Sequence, residues 1–378
     1  MDYCREQKHF QLRKRIEYFC EEEISPIASE IDQYQRFPLK TFFKLSKEGF
    51  MGLLIPSQYG GKGDDIYSYA IVLSILARFC GSTAQSYGVH TIISYACINR
   101  WGNEQQKYRL LPGMARGEKI GALAITEPEY GSDVMAIKTI ADDKTNHYIL
   151  NGEKAYIVNA PFAGFILVIA SLKTLKGTKC KGAFIIEAPT QGLSTQLKET
   201  MGFRGSGIAD VLIENCIVPK TNLLGEEQDG FAVMMSAIEF DRIGVALITS
   251  GIAEAAFDAS IKYSKNRFQF GKPISNFEAI QFKLADMATN LFLAKAFIEK
   301  ILDKLNAGKQ CKLEIAMAKV FSSEMATKTS LDAIQIHGAY GYTRLGKVER
   351  LLRDAKGHCI GGGTTEMNKL IIAREFLR

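Results

Sequence analysis

The sequence contains no CxxC pair, and none of its five His stands in HxxH or CxxH spacing; its eight Cys (4, 20, 80, 97, 180, 216, 311 and 359) are scattered. Zinc ligand sets and a secreted disulfide framework are therefore not expected, and the thiols read as incidental ones in a reducing, cytoplasmic setting. Long apolar runs are also missing. The longest, at 162–172, falls well short of the roughly 20 residues that a membrane-spanning helix needs. The N-terminal stretch MDYCREQKHFQLRKRIEYFCEEE mixes charges with apolar residues at helical spacing and is no signal peptide. There is no GKS/T phosphate loop, no alternating βαβ pattern, no internal repeat and no low-complexity linker. The glycine-rich GFRGSG at 202–207 neither follows an expected strand nor opens an expected helix, so it reads as a surface loop rather than a dinucleotide fingerprint. Charge of one sign is only mildly in excess, with 47 Lys+Arg against 41 Asp+Glu. That balance suits a phosphate-bearing ligand or an acidic partner without selecting either, and no nucleic-acid partner is expected.

What is present is an ordinary globular composition, 47% hydrophobic over 378 residues, enough for two or three structural units with a sizeable core. Three zones appear along the chain. Over 1–118 apolar residues recur every three or four positions (Phe10, Ile16, Phe19 and Cys20; Ile71, Leu73, Ile75 and Leu76), the mark of amphipathic helices. Over 119–224 the texture becomes short β-rich runs at 122–125, 148–150, 155–158, 165–170, 183–186 and 211–218, with Asn151-Gly152 and Lys176-Gly177 as turn formers. Over 225–378 the helical period returns at about 229–265, 278–306, 312–337 and 366–377. The expectation is an α+β multidomain fold: an N-terminal helical domain, a middle antiparallel β-sheet or barrel, and a C-terminal four-helix bundle.

Six ordered segments carry a more specific signal: LAITEPEYGSD at 123–133, KAYIVN at 154–159, PKTNLLG at 219–225, RFQFGK at 267–272, QIHGAYG at 335–341, and RD at 353–354 followed by GTT at 363–365. Together they resemble the acyl-CoA dehydrogenase family of flavoproteins from about residue 20 to the end. The resemblance implies FAD as cofactor. Thr126 with Leu123 and Ile125 would then hold the edge of the flavin ring, and Tyr156, where the family usually has Trp, would wall it. Val158 stands where a Thr is usual. Gly131 and Ser132 would let a phosphate or the substrate's thioester tail approach a tight turn. Arg267, Gln269 and Phe270 would meet the flavin pyrophosphate and its surroundings. Gln335, Gly338 and Ala339 would reach the cofactor of a neighbouring subunit, which implies a homo-oligomer, a dimer or a dimer of dimers. Ala339 replaces a second glycine there. Thr364 and Glu366 would contact the adenosine end, although both also fit a helix N-cap and first-turn acid.

One departure matters for chemistry. Most family members place the catalytic Glu just before the Gly-Thr that opens the last helix, but this chain reads IGGGT at 360–364, with Gly362 at that position. A minority branch, including isovaleryl-CoA dehydrogenases and some carrier-protein-thioester oxidases, carries Glu before an Arg on the first long helix of the bundle. Here those residues are Asp241 and Arg242, within IEFDRIG at 238–244. Asp241 would remove the substrate's α-proton, one methylene short of the usual reach. Gly362 could lend its N–H to the thioester oxygen, Arg242 would border the substrate, and Gly361 with Gly362 would leave room for a branched or α-substituted acyl group. Glu239 should face elsewhere on the helix. The resemblance thus implies α,β-dehydrogenation of an acyl thioester, either acyl-CoA or acyl carrier protein, with electrons leaving to an electron-transfer flavoprotein or to oxygen. A flavoprotein that has lost acyl oxidation, or one that oxidises a non-thioester substrate, are the alternatives.

Overall fold

The computed structural model describes residues 3–174 and 179–377. The chain opens with helices α1 (Gln7–Glu23), α2 (Ala28–Gln33), α3 (Leu39–Lys47), α4 (Ile66–Phe79), α5 (Gly81–Gly88), α6 (Tyr95–Trp101) and α7 (Glu104–Ala115). Helix α1 buries Leu12, Ile16, Phe19 and Cys20, whereas Phe10, expected on the same stripe, is half-exposed. Helix α4 is apolar around most of its circumference and almost wholly buried, as a helix in the middle of a large core must be. A π-helical segment, Val89–Ser94, joins α5 to α6 without a break. Within it His90 is fully buried, and its Nδ1 accepts the N–H of Gly121, fastening this helix to the first strand. Burial pushes the imidazole down to about 4 and so keeps it neutral.

The middle of the chain forms strands β1 (Gly121–Ala124), β2 (Ile140–Asp143), β3 (His147–Ile157), β4 (Phe165–Lys173), β5 (Lys179–Glu187), β6 (Leu193–Leu197) and β7 (Ala209–Pro219) in one seven-stranded sheet. The sheet is mixed rather than wholly antiparallel, because β4 pairs in parallel with both β1 and β2. Two of the expected runs merge into β3. Asn151-Gly152 is no hairpin turn but lies within that strand, at a register shift against β7. A side chain at Gly152 would strike Thr139 at 2.5 Å, so glycine permits a close strand approach there. The expected turn at Lys176-Gly177 lies outside the described residues.

The glycine cluster at 202–207 is packed rather than superficial, since Phe203, Gly205, Ser206 and Gly207 are buried. A Cβ at Gly202 would lie 2.2 Å from the Arg353 carbonyl oxygen, and one at Gly205 would lie 2.2 Å from Ile31. Small residues are required because this loop is wedged between the two helical layers.

Helices α8 (Gly230–Asn266), α9 (Glu278–Asn306), α10 (Lys312–His337), α11 (Val348–His358) and α12 (Thr365–Phe376) complete the fold, with a small hairpin β8 (Phe268–Gln269) and β9 (Lys272–Pro273) after α8. Helix α8 is the spine: it packs on α4, α9, α10 and α11 and also touches β5. Arg353 on α11 grips Asp32 of the first helical layer through both guanidinium amines at 2.7 and 2.6 Å, and also donates to the Met201 carbonyl. Its neighbour Asp354, buried, accepts the Phe203 N–H at 2.6 Å. The RD pair therefore ties all three layers together.

Candidate active site

The first candidate segment leaves β1 and is held by its own side chains. Lys154 on β3 is fully buried and donates to the Ile125 carbonyl at 2.9 Å and to Glu127 Oε1 at 2.8 Å. Glu127 also accepts the N–H groups of Lys138 and Thr139. Burial depresses the Lys154 ammonium to about 8, and the Glu127 carboxylate opposes that shift. The Ala155 N–H donates to the Thr126 carbonyl, which leaves the Thr126 side chain and the half-buried Leu123 along one edge.

A second register shift, between Lys154 and Ile157, reverses the side-chain alternation of β3. Lys154 and Ala155 both turn inward, and Tyr156, with φ +60°, is thrown outward at 60% exposure. A left-handed tyrosine in a strand is unusual and aims a ring at open space beside Thr126. Val158 is half-buried next to it, and Lys198 Nζ stands 5.4 Å from the Tyr156 ring centre. Gly131 and Ser132 are exposed, and nothing lies within 4 Å of where a Gly131 side chain would be.

This set fits a flavin: a rigid edge in which Leu123 and Thr126 are half-buried and the Ile125 side chain is buried, an aromatic wall, and a glycine turn open to close approach. The fit is incomplete within one chain. Arg267, Gln269 and Phe270 sit on the β8–β9 hairpin, all exposed, Phe270 at 92%. Gln335, Gly338 and Ala339 lie exposed at the end of α10, and Gly338, at φ +58°, has nothing within 4 Å of its missing side chain. No hydrogen bond or ion pair joins either group to the Thr126 segment among the described residues.

The reacting groups do come together. Asp241 on α8 projects toward the loop before α12, where a Cβ built on Gly362 would lie 3.1 Å from Asp241 Oδ2, 3.1 Å from Val245 Cγ2 and 3.7 Å from Lys319 Cε. No hydrogen bond or salt bridge engages the Asp241 carboxylate among the described residues; it feels Lys319 and Arg242 only through space. Burial raises it to about 6, restrained by those two cations. Glu239 faces away and pairs with Lys312 at 2.9 Å. Arg242 is buried beside the same loop, with its Nε unpaired and its Nη2 3.8 Å from a would-be Gly363 side chain.

Two residues that the sequence reading did not single out shape this loop. Lys319 on α10, fully buried, donates to the Gly363 carbonyl at 2.6 Å, and Asn368 on α12 donates to the same oxygen at 2.9 Å. Burial lowers Lys319 to about 8, partly offset by Asp241. A charged residue on the otherwise apolar or small buried stripe of α10 was the available signal. Gly362 and Gly363 take φ +68° and +77°, so the loop needs glycine for its backbone as well as its space. Gly361 is exposed, with its N–H donated to the Gly357 carbonyl. Thr364 accepts the Met367 N–H as the N-cap of α12, and Glu366 is exposed in its first turn.

Comparison with known proteins agrees along the whole chain. Three family models match: "Acyl-CoA dehydrogenase, N-terminal domain" over residues 6–118, the middle domain over 122–216 and the C-terminal domain over 228–377. A probable acyl-CoA dehydrogenase of Bacillus subtilis is 41% identical over 97% of both chains. The structure of butyryl-CoA dehydrogenase from Megasphaera elsdenii superposes with a TM-score of 0.95 at 33% identity, covering 100% of both chains. That of the prolyl acyl carrier protein oxidase AnaB gives 0.94 at 32% identity, covering 99% of this chain and 100% of the other.

Proposed function

The chain belongs to the acyl-CoA dehydrogenase family, FAD-dependent oxidoreductases acting on CH–CH bonds, and from that premise we propose that it dehydrogenates a short, branched or α-substituted acyl thioester with Asp241 as the base. The observation that carries this reading is the approach of Asp241 Oδ2 to the space that Gly362 leaves open. When bound, FAD supplies a hydride acceptor for the substrate's β-hydrogen. The protein's own part is proton chemistry. Asp241, unengaged and raised to about 6, is ionised at neutral pH yet basic enough to take an α-proton. Lys319 and Arg242 hold positive charge near it, which favours the carboxylate. The Gly362 N–H, without an acceptor among the described residues, is available to the thioester oxygen as charge develops there. Lys154 and Glu127 keep the Thr126 edge rigid, and Tyr156 would wall the ring when the cofactor is bound.

The acyl group reaches this site on coenzyme A or on an acyl carrier protein. The prolyl acyl carrier protein oxidase among the similar structures supports a carrier-borne substrate, and electrons would leave to an electron-transfer flavoprotein or to oxygen. A homo-oligomer is part of the reading: Phe282, Phe292 and Leu293 on α9 and Leu331 on α10 are exposed apolar residues that an adjoining subunit would cover. Anaerobic titration of the purified flavoprotein with acyl-CoA and acyl-carrier-protein panels tests the proposal. Bleaching of the flavin absorbance by at least one thioester is expected, and bleaching by none across both panels would refute it.

A further inference from the structure

Tyr69 on α4 is fully buried, and its hydroxyl has no hydrogen-bond partner among the described residues. Buried hydroxyls nearly always have one, because a dry, unpaired polar group opposes folding. The phenol lies between α5 and α8, where both helices present glycine. A Cβ at Gly88 would be 3.6 Å from Tyr69 Oη, and one at Gly244 would be 3.4 Å from it. The remaining neighbours of those two positions are apolar: Leu73 and Ile248 at Gly88, and Ile92, in the π-helical segment, at Gly244. The atoms nearest the phenol oxygen at these two positions are thus apolar, and the closest polar groups acting on it, Tyr87 and Asp241, make no hydrogen bond with it among the described residues.

Its place along α8 connects it to the chemistry. Gly244 follows Asp241 by three residues and so lies on the same face one turn on, about 4.5 Å along the axis. Burial, Tyr87 and the Asp241 carboxylate all hold the phenol in its neutral form, which is a hydrogen-bond donor. An acyl chain that ran from Asp241 along this face of α8 would meet that donor a few bonds beyond its α-carbon.

We infer that Tyr69 Oη is a specificity-determining group that donates a hydrogen bond to an acceptor atom on the acyl chain, so that the preferred thioester is polar beyond its β-carbon rather than a plain hydrocarbon. The inference rests on the thioester reading and narrows its substrate class. Sites that hydrogen-bond a substrate discriminate strongly against the analogue lacking the partner.

The test compares flavin-loaded wild type and Tyr69→Phe on 4-methoxybutanoyl-CoA and hexanoyl-CoA, which differ by one ether oxygen in place of a methylene. Wild type should prefer the ether by about tenfold or more in kcat/KM, and the variant should lose that preference. Free Tyr69→Phe should melt above wild type, since it loses an unpaired hydroxyl and keeps the ring. Equal use of the two thioesters by wild type, an unchanged preference in the variant, or a lower melting temperature for Tyr69→Phe would each overturn the inference while leaving the thioester reading standing. Reduction of the flavin by neither thioester, together with failure of the wider panels, would overturn both.

Discussion

Asp241 Oδ2 lies 3.1 Å from the point where a side chain at Gly362 would begin, so the carboxylate on α8 points into the space before α12. Two changes in sequence, a glycine before α12 and an aspartate on α8, are one arrangement in space. Because no side chain stands at Gly362, a substrate could approach α8 closely enough to offset the methylene that Asp lacks relative to Glu.

Gly362→Ala should therefore be costly twice over. Its φ of +68° is left-handed, and the new methyl would press on Asp241 and Val245 at 3.1 Å. About 1–2 kcal/mol of stability should be lost, with kcat falling more than tenfold, while bound flavin is retained. Thermal melting and steady-state kinetics on one preparation check both.

Activity should rise with pH through a limb near 6, because Asp241 acts as a base only when ionised and burial raises it to that value. Lys319 lowers the Asp241 pKa through its charge, so Lys319→Met should move the limb to higher pH. A pH profile of kcat for the two proteins reads the shift; a limb that stays in place would remove Lys319 from this role.

Lys154→Met leaves Glu127 buried without its cation. A loss of about 3–5 kcal/mol is expected for half of a buried pair. Flavin occupancy should fall with it, since the Ile125–Glu127 segment loses its anchor. Adding Glu127→Gln should restore part of the stability. Denaturant titration and the flavin-to-protein absorbance ratio measure the two effects.

Asp354 predicts a pH dependence of stability with a definite sign. Burial raises it from the ordinary 3.8 to about 6, against the pull of the Phe203 N–H and Arg350. The folded state then holds its proton more tightly than the unfolded chain. Its contribution is full below about pH 4 and is lost as pH rises through 6. Asp354→Asn should flatten the melting-temperature profile over that window, and an unchanged profile would show that other groups set it.

Much of this was legible in the sequence, and for identifiable reasons. The three helices α8, α9 and α10 are long enough for their period to be unmistakable, and their expected ends fall within a residue or so of those observed. The helix α11 was not anticipated, because its short run follows the glycine-rich turn after α10. Strands β2 and β6 were missed because IADD and LSTQL carry few apolar residues. Asn151-Gly152 misled for a related reason: the dipeptide favours a turn locally, but pairing with β7 and contact with Thr139 absorb it as a bulge. That Asp241 and Gly362 belong to one site was implied by the family resemblance, and the structure brings the two positions together. Lys319, Asn368 and Tyr69 were not anticipated, since their roles arise where helices distant in sequence meet.

The most direct test of Asp241 as the base is the single-turnover rate of anaerobic flavin reduction in wild type and Asp241→Asn, each loaded with FAD and mixed with the thioester that wild type reduces fastest. Removal of a positioned base should slow reduction by about 10²–10⁴ while leaving the flavin bound. Reduction by Asp241→Asn at the wild-type rate would contradict the assignment and place the base elsewhere.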